Sequence, residues 1–147
     1  MRRTAAVAVV LTLTLTSPLT AQAPAPVGPP NSWLFGAWVG GIFPPPVTLG
    51  AQECLAQPMV IFTRDVVMRA VLTSPVYVQR LVDTASAADN GFEVRLLPAT
   101  PAPQTPAAQQ GFGCADQNVL PVQRRGEEIT FPGCTDFPYP LIRCATR

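Results

Sequence analysis

The sequence contains no histidine and no lysine. Histidine is the commonest general base and metal ligand in proteins, so its absence argues against most acid–base and metal-dependent catalysis. The absence of lysine excludes Schiff-base nucleophiles and serine activated by lysine. Glu127 and Glu128 are adjacent and the other acids are scattered, so no carboxylate pair is placed for glycosidase-type chemistry. We therefore expect a protein that is not an enzyme and has no cofactor.

The first residues have the order of a secretion signal. Met1-Arg2-Arg3 is a positively charged start, residues 4–16 are uncharged and mostly apolar, and Ser17-Pro18 ends that run. Ala21 and Ala23 are the small residues of a signal peptidase site. The apolar run is shorter than the roughly 20 residues of a bilayer span, so we expect cleavage of a signal over residues 1–23 and no membrane anchor. The Ala-, Pro- and Arg-rich composition is typical of a GC-rich bacterial genome, which predicts a periplasmic or secreted bacterial protein.

Charge of either sign is scarce. Cleavage after residue 23 of 147 leaves 124 residues with eight arginines and nine acidic residues. A chain so close to neutral has no electrostatic attraction for nucleic acids or anionic membranes. The pair Arg124-Arg125 precedes Gly126-Glu127-Glu128 and is interpreted as a solvated hairpin tip. We expect a protein partner or an apolar small ligand, and no nucleic acid.

All four cysteines, Cys54, Cys114, Cys134 and Cys144, follow the signal. An even number in an exported domain predicts two disulfides, while no C-x-x-C spacing and no histidine support a zinc site. Cys114 and Cys134 flank a hairpin predicted over 118–131, nearly equidistant from its turn. We therefore expect them to pair, leaving Cys54 with Cys144. The alternative joins Cys134 to Cys144 across the final bend.

Proline-rich segments bound a single predicted β domain. Residues 24–32 form an N-terminal arm without apolar periodicity. The domain covers residues 33–147, with a Pro/Ala-rich surface loop at 99–110. A linker between two domains is the less favoured alternative, because the part beyond residue 110 is too short to bury a core alone.

Short apolar stretches separated by turn signals predict seven or eight strands. They are residues 32–43, 59–62, 66–73, 76–82, 92–96, 118–123, 128–131 and 141–146. For the third of these strands, a helix over 65–72 is the alternative. We expect a loop at 47–57 and a turn at 85–91. Residues 92–96 alternate apolar and charged side chains, with the apolar ones inward. This spacing predicts an all-β fold, either a small antiparallel up-and-down barrel or a β-sandwich.

Gly36-Ala37-Trp38 at the start of the domain and Arg143 in the last strand resemble the G-x-W motif and the arginine of the lipocalin-like small β-barrels. The resemblance implies that Trp38 closes the barrel floor and that Arg143 packs on its ring, a cation–π contact. The layout is similar to that of periplasmic inhibitors of secreted metalloproteases, in which an N-terminal arm, here residues 24–32, enters the protease cleft. The second cysteine pair and the loop at 99–110 depart from that family's pattern.

The candidate binding residues are Trp33 and Trp38, together with Arg143. Trp33, Phe35, Trp38 and Phe43 are expected to form core, with a ligand pocket as the alternative. Trp33 stands where the arm meets the domain, a place where an exposed aromatic side chain can anchor a partner. Three hypotheses follow, in this order: a binding or inhibitor module, a carrier of an apolar ligand, and a structural or assembly component of the cell envelope.

Overall fold

The computed structural model describes residues 28–45, 49–56, 58–71, 74–89, 91–99 and 110–144. In these residues eight antiparallel strands follow one another in chain order and close into a barrel. The strands are β1 (Gly36–Gly40), β2 (Met59–Phe62), β3 (Val66–Val71), β4 (Ser74–Ala88), β5 (Gly91–Leu96), β6 (Val119–Arg125), β7 (Glu128–Thr130) and β8 (Leu141–Arg143). The predicted up-and-down barrel is confirmed, and the sandwich is excluded. The signal predicted over 1–23, the arm residues 24–27 and most of the loop at 99–110 lie outside the described residues.

The elements between the strands differ from the predictions in three places. The loop predicted at 47–57 contains a short helix, α1, over Ala51–Ala56. The predicted first strand over 32–43 begins as a 3-10 helix, Ser32–Leu34, before β1. The turn predicted at 85–91 is mostly strand, since β4 runs to Ala88 and pairs there with Gly91. The third stretch is the strand β3 and not the alternative helix.

The register explains why β4 is longer than predicted. Its small residues resemble a turn, but Ala85 lies opposite Val94 and Ala87 lies opposite Phe92. The β5 side chains supply the bulk on the inner face, so alanine fits opposite them. The alternation in β5 is confirmed, because its three apolar side chains are all buried.

Apolar side chains fill the space inside the barrel. At its centre, phenylalanine rings contact one another with centroids 5.8–6.2 Å apart. These rings belong to Phe62, Phe112, Phe131 and Phe137. Full burial of such a side chain stabilises a fold by about 1.5–3 kcal/mol. Phe43 was expected in this core, but its side chain is 51% exposed, because the chain leaves the barrel wall at Gly40 and Gly41, which both have positive φ.

Both predicted disulfides are confirmed. Cys114 pairs with Cys134, with Cα atoms 3.9 Å apart. Cys54 pairs with Cys144, with Cα atoms 6.0 Å apart, which excludes the alternative bridge between Cys134 and Cys144. The second bridge ties α1 to the end of β8, where the backbone N–H of Cys144 also donates to the Ala37 carbonyl at 2.9 Å.

Candidate functional site

The end of the barrel where β1 begins is closed by the residues that join the arm to β1; we call this end the floor. Ser32–Leu34 form a single turn of 3-10 helix, in which the Leu34 N–H donates to the Asn31 carbonyl at 2.9 Å and the Phe35 N–H to the Ser32 carbonyl at 3.2 Å. The Leu34 side chain is fully buried in the core. This 3-10 turn therefore closes the floor of the barrel.

Trp38 holds this turn from inside the barrel. Its side chain is 1% exposed, and its indole Nε1–H donates to the Leu34 carbonyl at 2.7 Å. A buried indole N–H needs an acceptor, since leaving it unpaired costs about 1–3 kcal/mol. The bond therefore fixes the helical turn against the inner wall.

Arg143 holds the same turn from the neighbouring strand, where it lies opposite Trp38. Its Nη1 donates to the Trp33 carbonyl at 3.2 Å and its Nη2 to the Phe35 carbonyl at 2.5 Å. Its Cζ lies 5.5 Å from the centroid of the Trp38 ring, which is the contact that the resemblance implies. Gly36 has a φ of +127°, which favours glycine, and a Cβ there would be in ordinary van der Waals contact with Nη2 at 3.4 Å.

Trp33 is half-buried and belongs to the floor. Its ring meets the Phe92 ring edge-on, with centroids 6.2 Å apart and an interplanar angle of 84°. The Arg124 guanidinium lies over the ring, with Cζ 5.2 Å from the centroid. Arg124 was interpreted only as part of a solvated hairpin tip, and its position on Trp33 was missed. Trp33 joins the root of the arm to β5 and β6 and leaves part of its ring accessible.

The arm departs from this fixed root. Gly28, Pro29 and Pro30 are exposed, and the Ser32 N–H donates to the Pro29 carbonyl at 2.8 Å. The last residues of the arm are therefore presented to solvent at the floor, while the following turn is locked to the barrel. We call residues 31–35 the arm root.

Arg80 closes the opposite end of the barrel, which we call the upper end. Its side chain is 4% exposed. Its Nη1 donates to the carbonyls of Gln110 and Gln117 at 3.1 and 3.2 Å, and its Nη2 to the Leu97 carbonyl and Asn118 Oδ1, both at 2.7 Å. None of these acceptors is charged, and burial lowers the pKa of the guanidinium. The four hydrogen bonds offset part of the cost of burying this cation, although its Nε is buried without a hydrogen-bond partner among the described residues.

Arg69, which is 7% exposed, fastens the same end. Its Nη1 donates to the Gly111 carbonyl and to Asp136 Oδ2, and its Cζ lies 5.8 Å from the rings of Phe112 and Phe137. The two arginines thereby hold the segments before β6 and before β8 over the upper end. Sequence reasoning missed both. For Arg69 a signal was present, because it stands two residues after Val67 in β3 and its side chain therefore lies on the same face of the strand.

In the described residues, the arm root covers one end of the barrel, the segments held by Arg80 and Arg69 cover the other, and buried apolar side chains lie between them. A shallow groove of about 330 Å³ lies on the surface beside the turn between β4 and β5. It is lined by Ala88, Asp89, Gly91, Phe92, Pro121, Val122, Gln123 and Pro132. The arm root and this groove are therefore the candidate contact surfaces in the described part of the chain.

Comparison of the chain with protein-family models, curated proteins and solved structures finds no match. Within the described ranges, no three His, Cys, Asp or Glu side chains are grouped so as to hold a metal ion. No helix in that part of the chain is long and apolar enough to cross a membrane. The class that the fold defines is a small, closed, antiparallel β-barrel with two disulfides.

Proposed function

We propose that this protein is an exported, non-catalytic binding module of the bacterial periplasm that presents its N-terminal arm to a protein partner. The observation that carries the proposal is the arm root. Trp38 and Arg143 donate three hydrogen bonds to consecutive backbone carbonyls of this short segment, while residues 28–30 immediately before it are exposed.

The fixed root has an energetic consequence for binding. Ordering a segment at an interface costs about 0.5–1.5 kcal/mol for each immobilised side chain. This cost is smaller for a proline-rich segment, since its backbone is already restricted near the polyproline conformation. An arm that starts from a fixed turn and is rich in proline is therefore suited to insertion into an extended cleft.

Further features support the location and the partner class. The signal-like residues 1–23 and the two disulfides fit an oxidising compartment outside the cytoplasm. The resemblance to the periplasmic inhibitors supports a secreted protease as the partner. The filled interior favours binding through the surface over carriage of an apolar ligand.

The test compares the mature chain, residues 24–147, with a chain that lacks residues 24–30. Both are added to the culture medium of the host, and caseinolysis is measured with and without a metal chelator. We expect the mature chain to lower the chelator-sensitive part of the caseinolysis. The shortened chain should need at least about a hundredfold higher concentration for the same inhibition, which corresponds to a loss of about 2.7 kcal/mol in binding free energy.

A chain of the same length with a Gly/Ser arm is the matched control, because it separates arm sequence from arm length. Thermal unfolding of all three should agree, since residues 28–30 are exposed. Equal inhibition by the mature and shortened chains would remove the arm from the proposal. No effect of either chain on caseinolysis would refute a protease partner.

A further inference from the structure

Strand β4 changes its pairing partner half-way along. It pairs with β3 up to Leu81 and with β5 from Val82 onwards, with an irregular register between Val82 and Thr84. The Val82 N–H donates to the Asp65 carbonyl at 2.9 Å, and β3 does not extend further along this side. In the described part of the chain, no segment pairs with residues 84–88 on the side away from β5.

The backbone directions along this edge follow from the neighbouring strands. The Leu96 N–H donates to the Asn118 carbonyl on the β6 side, so Val94 and Phe92 also direct their backbone groups towards β6. Ala85 and Ala87 lie opposite Val94 and Phe92. Directly opposed residues of an antiparallel pair share this alternation, so the N–H and C=O groups of Ala85 and Ala87 point outward to the open edge.

This edge has none of the usual protection against pairing. Proteins blunt open edges with charged side chains, proline or a covering segment. The edge Thr84–Ala88 reads TASAA, without charge or proline, and its residues are exposed apart from the partly buried Ala85.

The free edge of strand β6, unlike that of β4, is protected against pairing. Its pairing with β7 begins only at Gln123, and Pro121 lies opposite Glu93. The alternation directs Glu93 towards β4, so the position of Pro121 faces away from β5. Proline has no N–H to offer there. The chain therefore blocks pairing on β6 and leaves it possible on β4.

We propose that the edge Thr84–Ala88 binds an extended segment of another protein as an added β-strand, and that this segment carries basic residues at its ends. Exposed Asp83 and Asp89 flank the edge, and Asp65 is exposed beside it. Arg64 is the neighbouring cation on that side, while Glu93 is already paired with Arg95 at 2.8 Å. The flanks are therefore acidic, and main-chain hydrogen bonds between them supply the attraction.

The same charges argue against a second copy of this chain as the occupant. A symmetric antiparallel pair uses all five edge residues only when it is centred on Ser86. That register places Asp83 directly opposite Asp89 of the copy at both ends. Like charges directly opposite each other are destabilising. This inference goes beyond the proposed function and does not depend on the arm.

The probe for the test is a capped heptapeptide of alternating threonine and valine with an arginine at each end. A second peptide has glutamate at both ends. Hydrogen exchange of the mature chain is followed by NMR at single amides. We expect the arginine peptide to slow exchange at Ala85 and Ala87 at least tenfold. Exchange at Ser86, whose N–H faces β5, should stay unchanged, and the glutamate peptide should bind at least tenfold more weakly.

Substitutions at one position separate the edge from other surfaces. Ala87→Pro removes an outward N–H, and proline is tolerated where the N–H of an edge strand faces solvent. It should abolish peptide binding with little change in the Tm, whereas Ala87→Val keeps the N–H and should bind as before. The pair Asp83→Asn and Asp89→Asn should remove the difference between the two peptides. Deletion of residues 24–30 should leave peptide binding intact, so this proposal and the arm proposal fail separately.

Each contrary result overturns the proposal. Amides of Ala85 and Ala87 that are as protected as Ser86 in the free monomer would mean that the edge is already covered. Protection that disappears on dilution would make a second copy the occupant. Unchanged exchange at millimolar peptide, or full binding to Ala87→Pro, would show that the edge does not accept a strand.

Discussion

Replacement of Arg143 by methionine tests how the arm root is fixed to the barrel. Methionine preserves much of the apolar stem but removes both hydrogen bonds to the carbonyls of Trp33 and Phe35 and the contact with the Trp38 ring. Hydrogen bonds from a charged donor contribute about 1.5–3 kcal/mol each. A partly exposed cation–π contact contributes about 0.5–1 kcal/mol. Because Arg143 is only partly buried, the low ends apply, and we expect the free energy of unfolding to fall by about 3.5 kcal/mol.

Urea unfolding with the disulfides intact, monitored by tryptophan fluorescence, measures this decrease in the free energy of unfolding directly. Arg125→Met is the matched control, because Arg125 is exposed and a surface substitution changes stability by about 0.5 kcal/mol or less. Hydrogen exchange locates the effect, since the Leu34 and Phe35 amides bond within the arm root and should exchange faster in Arg143→Met. A loss below about 1 kcal/mol, or unchanged exchange at these amides, would refute this reasoning.

Two further predictions concern the barrel itself. Removal of the Cys54–Cys144 bridge by alanine substitution opens a loop with a sequence separation of 90, against 20 for Cys114–Cys134. Chain entropy predicts losses of about 4.6 and 3.3 kcal/mol, and the reverse order in chemical unfolding would contradict the entropic account. Gly91→Ala should cost about 2 kcal/mol or more, since a Cβ at its φ of +148° would collide with the Val122 carbonyl. Gly126→Ala, where a Cβ meets nothing within 4 Å, should cost about 1 kcal/mol, and equal Tm values for the two variants would contradict the steric reason.

The features that local sequence encodes were predictable. The strand β5 follows from strict alternation of apolar and charged residues. The Cys114–Cys134 bridge follows from the hairpin of β6 and β7, because the two cysteines lie on either side of it. In both cases the information lies within a short stretch of chain, so neighbouring residues were sufficient.

The features that depend on distant residues were not predictable in this way. The second half of β4 forms because β5 supplies bulky side chains opposite its alanines. Arg80 is buried because carbonyls from Leu97, Gln110 and Gln117 surround it. Arg124 lies over the ring of Trp33, although most of the barrel sequence separates the two residues. The sequence around a charged residue does not show which distant backbone carbonyls will accept its hydrogen bonds and offset the cost of its burial.

The most direct test of the proposed function is native mass spectrometry of the protein purified from the periplasm of its host, beside the chain without residues 24–30. The account predicts a mass for residues 24–147 that is lowered by about 4 Da by two disulfides, in a complex with a protease that the shortened chain does not retain. A protease retained equally by both chains would contradict the role of the arm. A small apolar adduct on a chain without any protein partner would contradict the binding-module account and favour a carrier.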